Sequence, residues 1–167
     1  AGASANRGMV DWKGELFAVN GTNLIKIDAT GTRVNIGSIP GATRCVFAGG
    51  IGYLYLVTSG LVYRTNGATV ETVTDEDLES PNSIAFLNSQ FLYDGNEGRF
   101  GTSTPGDGAD IPALNYATAE SVPDILIRVY TFNQIAYMMG AKSGEPWYNS
   151  AVGSPPYDRI DGGLFQV

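Results

Sequence analysis

The sequence has no histidine and a single cysteine among its 167 residues. Without imidazole it has no Ser-His-Asp or Cys-His nucleophile system, no His-ligated zinc and no histidine pH switch. A lone cysteine forms neither an intramolecular disulfide nor a multi-thiolate metal site. Cys45 lies in the apolar run Cys45-Val46-Phe47-Ala48 and reads as a small buried hydrophobe, which leaves the redox compartment undecided. Positive charge is also short, because ten Lys and Arg against seventeen Asp and Glu leave a net charge of −7. That sign opposes the spreading of a phosphate backbone over the surface, so direct nucleic-acid binding is not expected. No apolar run approaches the roughly 20 residues of a membrane span. The opening Ala1-Gly2-Ala3-Ser4-Ala5-Asn6 has no signal-peptide profile, and without an initial Met the sequence reads as a processed chain or an excised piece.

What is present points to one globular domain over residues 1–167. With 43% apolar and 16% charged residues the chain can bury a core, and 22 Gly with 8 Pro make it rich in turns. Apolar segments are short, favour Val, Ile, Tyr and Phe, and are separated by Gly, Asn or Asp, the pattern of an all-β protein. Helical spacing is almost absent. Its best case, Asp77-Leu78-Glu79-Ser80, stands before Pro81 and has room for one turn at most.

Self-comparison is more informative than local propensity. Four segments share one order: an opening apolar strand, a central strand, a Gly or Asn turn, a third strand and a looser fourth. The central strands are Leu16-Phe17-Ala18-Val19, Tyr53-Leu54-Tyr55-Leu56-Val57, Gln90-Phe91-Leu92-Tyr93 and Gln134-Ile135-Ala136-Tyr137-Met138. In the last unit the turn is expected near Ser143-Gly144, with Trp147-Tyr148-Asn149 as the third strand. Spacings of roughly 40 residues suit four-stranded propeller blades. The expected blades cover residues 7–41, 42–81, 82–124 and 125–161, and residues 162–167 look like the opening strand of a further blade. A blade cannot bury both faces alone, and rings typically need 4–8 blades. The fold class is therefore an all-β propeller or partial propeller of about four blades, part of a larger ring or completed by other chains. Residues 104–112 are too polar and too interrupted by proline for an inner strand, and are expected to form a surface loop.

Carboxylates are the only catalytic groups present in number. Asp107, Asp110, Glu120, Asp124, Glu145 and Asp158 fall in different units, so paired carboxylates at one end of a propeller would allow glycan binding or hydrolysis. Acidic residues on turns are usually solvated caps, and the Asp-box repeat of sialidase propellers is absent. Neither Asp75-Glu76-Asp77 nor Asp107-Gly108-Ala109-Asp110 has the alternating acids and closing Glu of a calcium loop. Gly106-Asp107-Gly108 lacks the strand-to-helix context of a phosphate-binding loop. No catalytic residue, metal site or cofactor is assigned. Trp147 and Tyr148 are neighbours on one strand, so they face opposite ways and one is expected to be less buried.

The segment Leu114-Asn115-Tyr116-Ala117-Thr118-Ala119-Glu120-Ser121-Val122-Pro123-Asp124, with Gly144-Glu145-Pro146-Trp147-Tyr148-Asn149 and Pro156-Tyr157-Asp158-Arg159-Ile160, resembles the packaged-DNA stabilisation proteins of short-tailed bacteriophages. These are tail accessory or hub proteins. The resemblance implies an internal portion of a longer virion protein, made in the bacterial host cytoplasm. It implies a non-enzymatic role in closing the portal vertex, as part of an oligomeric ring that contacts the portal adaptor, tail needle and tailspike. Asp107, Asp110, Glu120, Asp124, Glu145, Trp147 and Tyr148 are then candidates for interface or assembly. Glu120 and Glu145 have the plainer alternative of pairing with strand-end amides or with Arg128 or Arg159.

Overall fold

Short apolar strands separated by tight turns let each roughly 40-residue unit fold as a meander of antiparallel strands, with central strands such as Leu54–Thr58 and Gln90–Asp94 buried on both faces. The computed structural model describes residues 5–119 and 125–167 and holds four such sheets. The first is built from β1 (Asn6–Trp12), β2 (Glu15–Asn20), β3 (Asn23–Ile27) and β4 (Arg33–Ser38). The second takes β5 (Val46–Gly49), β6 (Leu54–Thr58), β7 (Leu61–Thr65) and β8 (Val70–Val73). The third takes β9 (Ile84–Leu87), β10 (Gln90–Asp94), β11 (Arg99–Thr102) and β12 (Tyr116–Thr118), with a single 3-10 turn at Asn96–Gly98. The fourth takes β13 (Leu126–Phe132), β14 (Ile135–Gly140), β15 (Ser143–Asn149) and β16 (Tyr157–Arg159), with β17 (Phe165–Gln166) also on β15.

The sheets stack in chain order. The first strands of successive sheets meet one another, β1 on β5, β5 on β9 and β9 on β13, as the innermost strands of a propeller do. Each junction encloses its own core. Trp12, Phe17, Val19 and Leu24 pack on Leu54, Leu56 and Tyr63 between sheets one and two. Tyr55, Val57 and Val62 meet Ile84, Phe91 and Tyr93 between two and three. Leu87, Leu92 and Phe100 meet Val129, Met138 and Trp147 between three and four. Cys45 is buried in the first of these cores.

Three local expectations change. Phe165 and Gln166 pair with Gly144 and Ser143, so the tail extends the outer edge of the fourth sheet instead of standing free as an opening strand. The fourth unit turns earlier than its Ser-Gly pair suggests, because β15 already begins at Ser143. Gly144 is needed there for a different reason: a Cβ would collide with the ring of Phe165. As expected before Pro81, no helix forms at residues 77–80: the segment holds one hydrogen-bonded turn, in which Leu78 N donates to Asp75 O, and Ser80 N donates to Leu78 O. Finally, the loop over residues 104–112 is not confined to the surface, since Gly108 and Ile111 are buried and Ile111 belongs to the core between sheets two and three.

Candidate functional site

The two loops that interrupt the meander, residues 75–81 and 104–112, come together at the junction of sheets two and three. Asp75 Oδ2 accepts a hydrogen bond from Ile111 N at 3.2 Å. Tyr93 donates its hydroxyl to Gly108 O at 2.5 Å, and Tyr55 donates to Asp107 Oδ1 at 3.3 Å. Both tyrosines are buried, and burial holds their phenols above the ordinary range, so they remain neutral donors. The loop lies so close that a Cβ on Gly108 would stand 2.6 Å from the Phe91 ring. It is thus a latch across the end of two blades.

Asp107 also accepts from Ala109 N and lies 3.8 Å from Arg64 Nη1. Asp110 Oδ2 accepts from Thr104 Oγ1 at 2.5 Å. Both carboxylates are engaged in shaping the loop that carries them. Beside the latch lies a cleft of about 170 Å³ whose lining includes Glu76, Asp77, Glu79, Asp94, Arg99 and Tyr116. Arg99 Nη1 donates to Glu79 Oε1 at 2.9 Å and its guanidinium lies 5.0 Å from the Tyr116 ring. Asp94 is buried and accepts from the backbone N–H groups of Asn82 and Ser83. Burial outweighs those hydrogen bonds and pushes its carboxyl up to about 6. Acidic walls with one paired cation suit a basic or neutral protein segment better than an anionic ligand.

The remaining sequence candidates are dispersed. Glu145 is buried within the fourth sheet, beside a void of about 10 Å³ bounded by Ala119, Leu126 and Met138, a space too small for any sugar. Trp147 is 8% exposed, with its ring centroid 5.0 Å from that of Phe100. Tyr148 faces the other way and is 42% exposed. Asp158 lies exposed on β16. Glu120 and Asp124 lie outside the described residues. Of the sequence candidates that are described, Asp107 and Asp110 share the 104–112 loop whereas Glu145 and Asp158 lie on the fourth sheet, so these candidates do not face one another across one cleft. Among the described residues no group of three His, Cys, Asp or Glu could hold a metal ion.

One residue that determines the junction of sheets one and two escaped sequence reasoning. Arg7 is 6% exposed. Its Nε donates to Thr43 O at 2.7 Å and Nη1 to Ile39 O at 2.7 Å and Gly21 O at 3.0 Å. Nη2 donates to Pro40 O at 3.2 Å and Thr58 Oγ1 at 2.9 Å. The planar guanidinium gathers the carbonyls of the turn after β2 and of the connection between the sheets. An arginine beside a glycine at a strand start was its only trace in the sequence.

Stacked four-stranded meanders define the β-propeller class, and solved structures share the fold. The designed Ika4 protein matches with a TM-score of 0.64 at 12% identity, over 89% of this chain and 93% of that one. YCF48, solved bound to a D1 peptide, gives 0.67 at 10% identity, over 96% and 55%. PorZ, a surface component of the type-IX secretion system of Porphyromonas gingivalis, gives 0.58 at 9% identity, over 93% and 20%. The chain spans a fifth of PorZ and about half of YCF48. No curated protein sequence matches it. The family model described as Phage_stabilise, Bacteriophage P22 Gp10, beta-propeller, matches residues 1–167. The chain belongs to that phage stabilisation family, and its role is that of a phage structural propeller.

Proposed function

We propose that the chain is a non-enzymatic docking body of a phage tail that helps close the portal vertex, so that packaged DNA is held by mechanical plugging. The family match over the whole chain carries this reading. The structure supports it physically, because the 75–81 connection between sheets two and three and the 104–112 loop within sheet three are held together by hydrogen bonds at one junction and so present a fixed surface to partners. The partners are the portal adaptor and the tail needle and tailspike proteins, engaged by an oligomeric ring of the full-length protein. The −7 charge supports contacts with proteins rather than with the nucleic acid itself. Synthesis takes place in the host cytoplasm, followed by incorporation in the virion. Among the described residues no helix is long and apolar enough to cross a membrane.

The test is reconstitution of the full-length protein with portal and adaptor, followed by cryo-electron microscopy. Density for this propeller at the tail vertex is the expected result. A full-length protein that never joins the assembly would overturn the assignment.

A further inference from the structure

The cleft beside the latch holds a buried carboxylate that the fold uses only in part. Asp94 ends β10, is 4% exposed and lines the cleft of about 170 Å³. Its Oδ1 accepts both backbone hydrogen bonds, from Asn82 N at 2.8 Å and from Ser83 N at 2.7 Å. Among the described residues, no neighbour donates to Oδ2 and no cation forms an ion pair with either oxygen. The one cation in the cleft wall, Arg99, is taken: Nη1 lies 2.9 Å from Glu79 Oε1 and Nη2 3.9 Å from Glu97 Oε2. Glu79 is used as well, since its Oε2 accepts from Asn96 N at 3.0 Å. All the walls come from residues 76–116, at the junction of sheets two and three.

A carboxylate removed from water is costly unless its charge is met. Two N–H groups meet part of it, and burial still raises the Asp94 carboxyl to about 6. At neutral pH it is therefore mostly ionised, with one oxygen left to a ligand that brings its own positive charge. The chemistry of the walls selects the kind of cation. Leu78, Ile111 and Pro112 offer apolar surface along which a methylene stem can lie, while Tyr93 turns its hydroxyl away to Gly108 O. A single open oxygen matches the point charge of an ammonium, whereas the planar fork of a guanidinium brings further donors that find no acceptor beside it. A divalent ion needs about six oxygen ligands, and no group of three acidic, Cys or His side chains among the described residues could supply a metal site.

We propose that this cleft is a lysine-binding site, in which the ammonium of a lysine on a partner protein donates to Asp94 Oδ2 and its stem lies along Leu78 and Pro112. The exposed Glu76 and Asp77 stand at the rim, where their charge draws a basic segment in. Protonation of Asp94 removes the acceptor, so the site holds lysine at neutral pH and releases it as pH falls below about 6. The charged and titratable groups around Asp94 are Glu76, Asp77 and Glu79 on the 75–81 connection, Tyr93 on its own strand, Arg99 on β11 and Tyr116 on β12. The inference does not depend on the tail assignment, because the recognition is set by the cleft's own residues.

Ligand-observed NMR on the full-length protein checks this with a blocked Gly-Gly-Lys-Gly-Gly peptide, beside the same peptide carrying norleucine or arginine in place of lysine. At neutral pH the lysine peptide should bind about tenfold or more tightly than the norleucine peptide, with arginine between them. At pH 5 the lysine peptide should lose about tenfold in affinity, because only about a tenth of Asp94 then stays ionised. Asp94→Asn, checked for folding by circular dichroism, should bring lysine down to the norleucine level, while Glu76→Gln should weaken it by less than about threefold. Lysine and norleucine peptides that bind alike overturn the proposal, as does a preference for lysine that survives Asp94→Asn. An arginine peptide as tight as the lysine one overturns the choice of an ammonium. If the asparagine variant does not fold, the pH series on the wild type decides: a lysine preference undiminished at pH 5 overturns the proposal, because the exposed rim acids would then suffice.

Discussion

The first two sheets are joined around a buried cation, whereas the second and third are joined around carboxyl and phenol groups. The difference follows from which backbone groups each connection leaves without strand partners. Between sheets one and two, the chain turns its carbonyls of Gly21, Ile39, Pro40 and Thr43 inward, and the donors of Arg7 collect them. Between sheets two and three, the N–H groups of Asn82, Ser83 and Ile111 need acceptors, which Asp94 and Asp75 supply. Buried backbone groups have to be paired, and the sign of the latch is set by which kind is left over.

Arg7→Met should have the largest effect, about 3–5 kcal/mol of stability lost in urea unfolding, because several carbonyls lose their donor at once. Arg7→Lys should recover only part of it, since an ammonium has three donors and no planar fork. A loss below about 1 kcal/mol for Met would show that the two junctions do not differ as described. Gly108→Ala should be next, at about 1–3 kcal/mol, because the new Cβ must displace the Phe91 ring; loss of near-ultraviolet aromatic signal before global melting would locate the damage at the second junction.

The carboxyl latch should be sensitive to pH in a way that the guanidinium is not. Because the Asp94 carboxyl is raised to about 6, the fold favours its neutral form. Its contribution is fully present below the unfolded value near 3.8 and is lost as pH rises through about 6. Asp94→Asn should flatten the stability profile between pH 4 and 7, by about 2 kcal/mol at most. Equal profiles for the two proteins would remove Asp94 from the comparison. Asp107→Asn should do least, less than about 0.5 kcal/mol, because its 3.8 Å contact with Arg64 is partly solvated. A much larger loss would make that ion pair a second latch.

Much of the architecture could be read from the residues because its causes are local. Leu16 to Val19 and Leu24 to Ile27 flank the two-residue turn Gly21-Thr22, closed by the Asn20–Asn23 pair, and such a turn fixes the register of its hairpin. The opposite orientations of Trp147 and Tyr148 follow from the pleat in the same way. The candidate site was less legible. Asp107 and Asp110 looked like solvated loop acids, yet Asp107 meets Tyr55 and Arg64, which lie on the second sheet. Glu145 looked like a surface group beside a turn, but the turn falls earlier and its strand carries it inward. Ser143-Gly144 has the composition of a turn, and only the later return of Phe165 explains the glycine.

The order of strands and turns was determined by the sequence alone, since pleat alternation and turn chemistry act over a few neighbouring residues. Tertiary structure alone decided that Arg7 would bind carbonyls up to 36 residues away and that the 104–112 loop would seal two blades. Those outcomes depend on pairing and burial between segments distant in the chain. Local composition carries little trace of them, because a buried latch and a solvated surface charge are written with the same side chains.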